Sequence, residues 1–103
     1  MNERFFYKGE YKTPGGKLVG VRFRVETSTL RDVEVFGDFF LYPDDVLPLI
    51  TASLEGAPAD LDDASCAARI AAAIPDGTEW LGSSPDALAT AVRRALEIGP
   101  VYD

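Results

Sequence analysis

Segment 19–26 constrains the fold of this chain most, because apolar and polar positions alternate along it. The apolar set is Val19, Val21, Phe23 and Val25, and the intervening set is Gly20, Arg22, Arg24 and Glu26. A period of two is typical of an antiparallel strand with one face on a core and the other in water. Such a strand needs partner strands, and the segments on either side of it are the candidates.

Both flanks of this strand predict further strands. Segment 4–12 is rich in aromatic residues and favours a strand, with Gly9 as a candidate bulge. Segment 30–41 reads as a third strand, with Val33, Val35, Gly37 and Phe39 on one face. On the polar face, we expect Arg22 or Arg24 opposite Asp32 or Glu34. The three strands together predict an antiparallel meander.

Helix signals follow the strands. Pro43 with Asp44 and Asp45 is typical of a helix start, Gly56 of its end, and Pro48 is expected to kink or delay this helix. An alanine-rich helix is predicted over residues 61–74, and a last helix runs from Ser84-Pro85 to Gly99-Pro100. Strands followed by helices predict a single α+β domain over residues 1–103. In it, a three-stranded antiparallel sheet carries about three helices on one face.

Composition restricts the class of protein. The chain has 103 residues, 47% hydrophobic and 26% charged, which is typical of one globular domain without a membrane span. The net charge of −7 is uneven, since residues 1–24 carry +4. A globally acidic chain is a poor match for nucleic acid. A single cysteine and no apolar leader predict a cytoplasmic protein.

Catalytic residue types are scarce. The chain has no histidine and one cysteine, so neither a zinc site of the usual ligands nor a Ser-His-Asp or Cys-His arrangement can be built. Cys66 lies in the alanine-rich helix and is expected to be a small buried residue. The paired aspartates fall near helix starts, where the helix dipole explains them. No catalytic residue and no metal site is therefore predicted.

The segment Lys12-Thr13-Pro14-Gly15-Gly16-Lys17 carries the candidate functional chemistry. Two lysines bracket a Pro-Gly-Gly turn, so cations are held beside backbone N–H groups that no side chain covers, and such a turn can approach an anion closely. The alternative is a plain hairpin turn with two solvated lysines.

Three pieces of the sequence together resemble a known family. They are the Lys-x-Pro-Gly-Gly-Lys-Leu turn, the strand end Gly37-Asp38-Phe39-Phe40 before Tyr42-Pro43-Asp44, and Leu54-Glu55-Gly56. Their order and spacing resemble the accessory, C-terminal domain of lipoate-protein ligase, which in some organisms is a separate small polypeptide. Segment 81–88 also resembles the family's last helix start. Because Met1 lies almost directly before the first predicted strand, we expect either a free-standing subunit or a truncated piece of a longer ligase.

The resemblance implies one subunit of a larger enzyme. The chain lacks the Arg-Arg-x-x-Gly-Gly-Gly element and the lysine motif of the family's large domain, which bind lipoate and ATP. It would thus be a non-catalytic subunit that binds no cofactor alone. With a catalytic large subunit, ATP, lipoate and Mg²⁺, it would be needed to form lipoyl-adenylate and to lipoylate acceptor-domain lysines.

The same resemblance assigns the site residues. The adenylate-side or partner interface would comprise Lys12, Pro14, Gly15, Gly16 and Lys17. A second group, Asp38, Phe39 and Phe40, would contact the partner or support the structure. For Phe39 we expect packing on the core, and for Asp38 hydrogen bonds that pin the turn.

A second hypothesis needs no ligase. The chain could be a stand-alone binding or scaffold module whose basic strand face docks an acidic protein, such as a lipoyl-acceptor domain. Either hypothesis calls for an interaction surface, and the sequence supplies aromatic anchors for one. Seven rings are more than one small sheet face can bury: Phe5, Phe6, Tyr7, Tyr11, Phe36, Phe39 and Phe40.

Overall fold

Three long antiparallel strands form the predicted meander in a computed structural model, which describes residues 5–102. They are β1 (Phe5–Lys12), β2 (Leu18–Glu26) and β3 (Thr29–Gly37). The register pairs Tyr7 with Phe23, Lys12 with Leu18 and Val21 with Val35. The expected cross-strand charges also meet. Arg22 lies opposite Glu34, and the Arg24 Nε donates to an Asp32 carboxylate oxygen at 2.7 Å.

The sheet has a fourth strand that the prediction of three omitted. Strand β6 (Val101–Tyr102) pairs antiparallel with the start of β1, giving the order β3-β2-β1-β6. The Phe5 and Tyr102 rings meet edge to face, with centroids 4.5 Å apart. A two-residue strand has no periodicity to detect, which is why the sequence did not reveal it.

The prediction that β3 continues to Leu41 is wrong. The strand ends at Gly37, and its register shifts at Asp32, which has a left-handed φ of 54°. This irregularity brings both Leu30 and Val33 onto the buried face, although they are three residues apart. Beyond Gly37 the chain enters a separate ribbon, in which β4 (Phe40–Tyr42) pairs antiparallel with β5 (Glu79–Leu81).

Three helices follow, as expected. A short 3₁₀ turn, Asp44–Val46, precedes α1 (Leu47–Leu54), and Pro48 falls in the first turn of α1, so this proline delays the helix. Helix α2 (Asp63–Ala72) is capped by the Asp62 carboxylate, which accepts from the Ser65 N–H. Helix α3 (Pro85–Ile98) is capped by Ser84. The chain is therefore α+β, and none of the helices within residues 5–102 could cross a membrane.

Helix α3 approaches the sheet at Gly9, which is not the bulge that we expected. Gly9 pairs with Val21 in unbroken register. A Cβ added at Gly9 would lie 2.5 Å from the Ala95 nitrogen and would also strike the Ala91 carbonyl oxygen. Glycine on the strand and alanine on the helix thus let the two backbones come close.

The core lies between the sheet and the helices. Helix α3 packs across β1 and β2, α1 packs on β3, and α2 packs on α3. The largest fully buried side chains are Phe23, Leu30, Ile50, Leu54, Ile70 and Leu88. The opposite face of the sheet carries the exposed side chains of β1 and β2, including Lys8 and Arg22.

Candidate functional site

The Pro-Gly-Gly segment forms a tight turn between β1 and β2. The Gly16 N–H donates to the Thr13 carbonyl at 2.7 Å, and Gly15 has φ +75° in the third position of the turn. Proline second and a positive φ third are the features of a type II turn. Nothing lies within 4 Å of a Cβ added at Gly15, so this corner of the turn faces open space.

Gly82 holds the turn from the other side. The Lys17 N–H donates to the Gly82 carbonyl at 2.9 Å. A Cβ added at Gly82, whose φ is +92°, would lie 2.7 Å from the Lys17 Cγ and 3.1 Å from its Cβ. The aliphatic stem of Lys17 therefore rests on the bare backbone of Gly82, which directs the ammonium group.

A third segment closes this arrangement. The Asp38 N–H donates to the Leu18 carbonyl at 3.0 Å, and the Phe39 and Trp80 rings pack edge to face with centroids 5.6 Å apart. The Phe39 Cα also lies 3.6 Å from the Cβ position of Gly82. Segments 13–18, 37–39 and 80–82 thus meet in one place, here named the junction.

The structure narrows the set of backbone donors at the turn. The Gly16 and Lys17 N–H groups are used within the chain, by Thr13 and Gly82. Among the turn amides from Gly15 to Lys17, only that of Gly15 has no hydrogen-bond partner within residues 5–102. An anion here would be met by the Gly15 N–H and the exposed Lys17 ammonium, which has no ion-pair partner in the same range.

The two lysines of the motif are not equivalent. Lys12 pairs with Leu18 in register, so it shares the open face of the sheet with Lys8 and Glu10. Lys17 precedes Leu18 and packs on Gly82 instead. The junction includes Lys17 and the turn glycines but not the Lys12 side chain.

The three residues of the second predicted group, Asp38, Phe39 and Phe40, lie in different environments. Phe39 is half-buried and packs against the core, as expected, but it does so beside the Trp80 ring and after β3 has ended. Asp38 is exposed, and within the described residues its link to β2 runs through its backbone N–H rather than its carboxylate. Phe40 points outward and is 71% exposed.

The outward face of the β4–β5 ribbon carries three large exposed side chains. Phe40 lies directly opposite Leu81, and Tyr42 lies opposite Glu79. The exposed fractions are 71% for Phe40, 73% for Tyr42 and 56% for Leu81. These three residues are called the apolar strip below. Of the seven rings counted in the sequence, Phe5 and Phe40 are exposed, so this fold does not bury the whole aromatic set.

Unsatisfied polar atoms concentrate beside the same ribbon. Three buried side-chain atoms lack a hydrogen-bond partner within the described chain: Thr78 Oγ1, Trp80 Nε1 and Ser83 Oγ. Buried polar atoms are normally paired, so segment 78–83 is the part of the fold whose polar groups are least satisfied by the chain itself.

Cys66 is buried, as expected, between α2 and α3. Burial, helped by the nearby Asp63 carboxylate, raises the pKa of its thiol to about 11. At neutral pH the sulfur is therefore a thiol and a poor nucleophile. No cluster of three potential metal ligands occurs among residues 5–102.

The open face of the sheet carries two ring–cation pairs. The Arg22 guanidinium lies 4.0 Å from the centroid of the Phe6 ring, and the Lys8 ammonium lies 5.6 Å from that of Phe36. Lys8 and Arg22 are direct cross-strand neighbours. Glu10, whose carboxylate lies 3.9 Å from the Lys8 ammonium, and Glu34, opposite Arg22, share this face, so an acidic partner would compete with them for the two cations.

Sequence reasoning missed Gly82 as a part of the site, and with it Trp80, Leu81 and Tyr42. The one signal was the resemblance of segment 81–88 to a helix start, which places Gly82 near a helix but not against Lys17. The contact between them joins residues far apart in the chain, and no local pattern encodes it.

Comparisons with known proteins show the fold. No family model matches the sequence, and no curated protein matches it. A solved structure of an archaeal lipoylation system, a bi-partite lipoate protein ligase and its E2 lipoyl domain from Thermoplasma acidophilum, contains a similar chain. The two chains superpose with a TM-score of 0.67 at 20% identity, over 85% of this chain and 94% of that one.

Proposed function

We propose that this chain is the non-catalytic accessory subunit of a bipartite, ATP-dependent lipoate-protein ligase. Its partner would be a catalytic large subunit that holds ATP, lipoate and Mg²⁺. Together they would form lipoyl-adenylate and transfer the lipoyl group to a lysine of an acceptor domain.

The junction is the observation that carries the proposal. The motif elements that resemble the ligase accessory domain lie apart in the sequence, yet the fold brings the turn, the Asp38 strand end and Gly82 into contact. The fold likeness adds support, because the matched chain belongs to a system with a two-part ligase. The alignment covers most of both chains, so they are also close in length.

The junction fits one chemical role in such a complex. When the lipoate carboxylate attacks the α-phosphorus of ATP, negative charge develops on the phosphate oxygens as pyrophosphate leaves. Lys17, held by Gly82, would place its ammonium at that charge, and the Gly15 N–H would add a donor. Preorganised donors of this kind lower a barrier because they need no reorganisation during the reaction.

Reconstitution tests the proposal. The chain is mixed with a large ligase chain that lacks a C-terminal domain, and with ATP, Mg²⁺, lipoate and an E2 lipoyl domain. ATP–pyrophosphate exchange reports adenylate formation, and mass spectrometry reports the lipoylated protein. We expect both signals only when both chains are present, with the lipoyl group on the E2 domain.

Three outcomes would contradict the proposal. The large chain could be equally active without this chain, or this chain could act alone. Alternatively, the lipoyl group could appear on this chain itself, which would make it an acceptor rather than a subunit.

The ring–cation pairs favour a second candidate, a binding module for an acidic protein such as a lipoyl-acceptor domain. Lys8 and Arg22 would then meet carboxylates on the open face. The double variant Lys8→Glu/Arg22→Glu should abolish binding to an acidic acceptor domain measured by titration calorimetry. If the wild-type chain does not bind the domain at all, this candidate fails.

A further inference from the structure

We infer that the apolar strip of Phe40, Tyr42 and Leu81 is the surface on which the catalytic large chain docks. This inference rests on the proposed function and specifies which face of the chain the partner covers. It goes beyond the two predicted groups of site residues, since Tyr42 and Leu81 belong to neither.

The geometry of the ribbon shapes the strip. Phe40 and Leu81 are directly paired, and Tyr42 is two residues from Phe40 in the same strand, so the three share one face. Leu41 and Trp80 point the other way, toward the core. Large apolar side chains grouped on an exposed face are typical of protein interaction sites.

Position connects the strip to the junction. Leu81 is followed by Gly82, the residue on which the Lys17 stem rests. A partner that brings a phosphate to Lys17 must therefore come close to Leu81 and Phe40. The unsatisfied polar atoms of Thr78, Trp80 and Ser83 belong to the same segment.

Charge gives the strip a polarity that a partner must match. Lys17 lies at one end. At the other end, Glu79 is paired with Tyr42, and it lines a surface cleft together with Asp44. A complementary surface has an anion at the first end, apolar side chains in the centre and basic residues at the second end. In the proposed complex, the ATP held by the large ligase chain would supply the anion at the first end.

Area argues against a second copy of this chain as the occupant. Each large side chain can bury at most about 150–250 Å². A two-fold contact through the strip alone would stay below the roughly 800 Å² per partner of a standard interface. A larger partner that also covers the junction can reach that area.

The test measures the affinity of the full chain for the large ligase chain by titration calorimetry. We expect Phe40→Ser/Leu81→Ser to raise the Kd roughly tenfold or more, since central apolar anchors dominate such interfaces. Glu79→Lys should also weaken binding and change its salt dependence. The matched control is Ile98→Ser, because Ile98 is 70% exposed and lies at the far end of α3. Circular dichroism verifies the fold of each variant.

The outcomes separate this inference from the proposed function. If the wild-type chain neither binds nor activates any large chain, the proposed function fails. If the wild type binds and Phe40→Ser/Leu81→Ser binds equally well, the strip is not the docking surface. Equal weakening by Ile98→Ser would overturn the inference too. So would sedimentation showing a wild-type dimer that the double variant abolishes, because a second copy would then be the occupant.

Discussion

Lys17 is positioned through its stem rather than its charge. Its backbone N–H and its first side-chain carbons contact Gly82, while its ammonium group is exposed. An exposed lysine contributes little to the free energy of unfolding. Fold and function are therefore separable at this residue.

We predict that Lys17→Ala strongly reduces adenylate formation by the reconstituted pair while the fold is kept. Loss of one preorganised donor costs roughly 3 kcal/mol, or about a hundredfold in rate. Lys12→Ala is the matched control, because Lys12 lies on the open sheet face and should have a small effect. Pyrophosphate exchange measures the rate, and circular dichroism measures the fold. Full activity of Lys17→Ala would make this lysine a solvated flank of a hairpin.

Cys66 makes the free energy of unfolding depend on pH in the alkaline range. The pKa of its thiol is about 11 in the folded chain because the group is buried. In the unfolded chain the pKa should return to about 8.5. As pH rises between these values, the unfolded state loses its proton first, so stability falls by up to roughly 1.4 kcal/mol per pH unit.

Urea unfolding of the wild type and of Cys66→Ala at about pH 8 and about pH 10 checks this slope. Cys66→Ala leaves a small cavity at both pH values, but it cannot titrate. The stability of the wild type should therefore fall more steeply with pH than that of the variant. Parallel curves for the two proteins would show that the folded thiol titrates normally.

The contact of α3 with β1 depends on the absence of a side chain at Gly9. Any Cβ at Gly9 meets backbone atoms of Ala91 and Ala95, which cannot rotate away as a flexible side chain would. The helix and the strand form one packed unit through this contact, and α3 also starts beside Gly82. Displacement of α3 is therefore expected to reach the junction.

We predict that Gly9→Ala lowers the free energy of unfolding by about 3 kcal/mol or more, at the upper end for overpacked sites. Gly15→Ala is the matched control. Gly15→Ala adds the same methyl group, but that methyl enters open space. Because Gly15 has φ +75°, the variant should lower the free energy of unfolding by only about 1–2 kcal/mol, through backbone strain. Urea denaturation measures both. Similar losses in the two variants would mean that α3 shifts without difficulty.

Elements long enough to show a periodic pattern could be predicted, and elements that depend on a partner segment distant in the sequence could not. The β2 alternation and the Ser84-Pro85 start of α3 are local, so strands, helices and the α+β class followed from them. The β4–β5 ribbon has three residues in each strand and joins distant segments, which leaves no periodic pattern. The irregularity at Asp32 also depends on the partner strand. The turn could be predicted as a candidate site, but its contact with Gly82 could not.

At the scale of the whole molecule, charge and exposure divide the surface. Most of the basic side chains of β1 and β2 lie on the open sheet face, whereas the apolar strip lies on the separate β4–β5 ribbon, next to the junction. The whole chain has a net charge of −7, and its first 24 residues carry +4. The remainder therefore carries −11. Two different partners could thus be accommodated without competing for the same residues.

We predict that the large ligase chain raises the melting temperature of this chain. A partner that binds only the folded state adds about 2.7 kcal/mol at a free concentration of a hundred times the Kd. For a domain of this size, each kcal/mol shifts Tm by roughly 4–8 °C. Thermal unfolding measures the shift, and it is followed by a fluorescent label attached to a surface residue of this chain rather than to the buried Cys66. An unchanged Tm at saturating partner would contradict heterodimer formation.

The Gly9 contact also limits how this sequence can change over evolutionary time. A compensatory substitution normally shrinks one residue when its neighbour grows. Here the facing residues are already alanine, and the obstructing atoms belong to the backbone of Ala91 and Ala95, which every amino acid carries. No single change on the helix can make room at position 9. Related chains that differ there must have moved the whole helix, so residue 9 should report helix position across distant relatives.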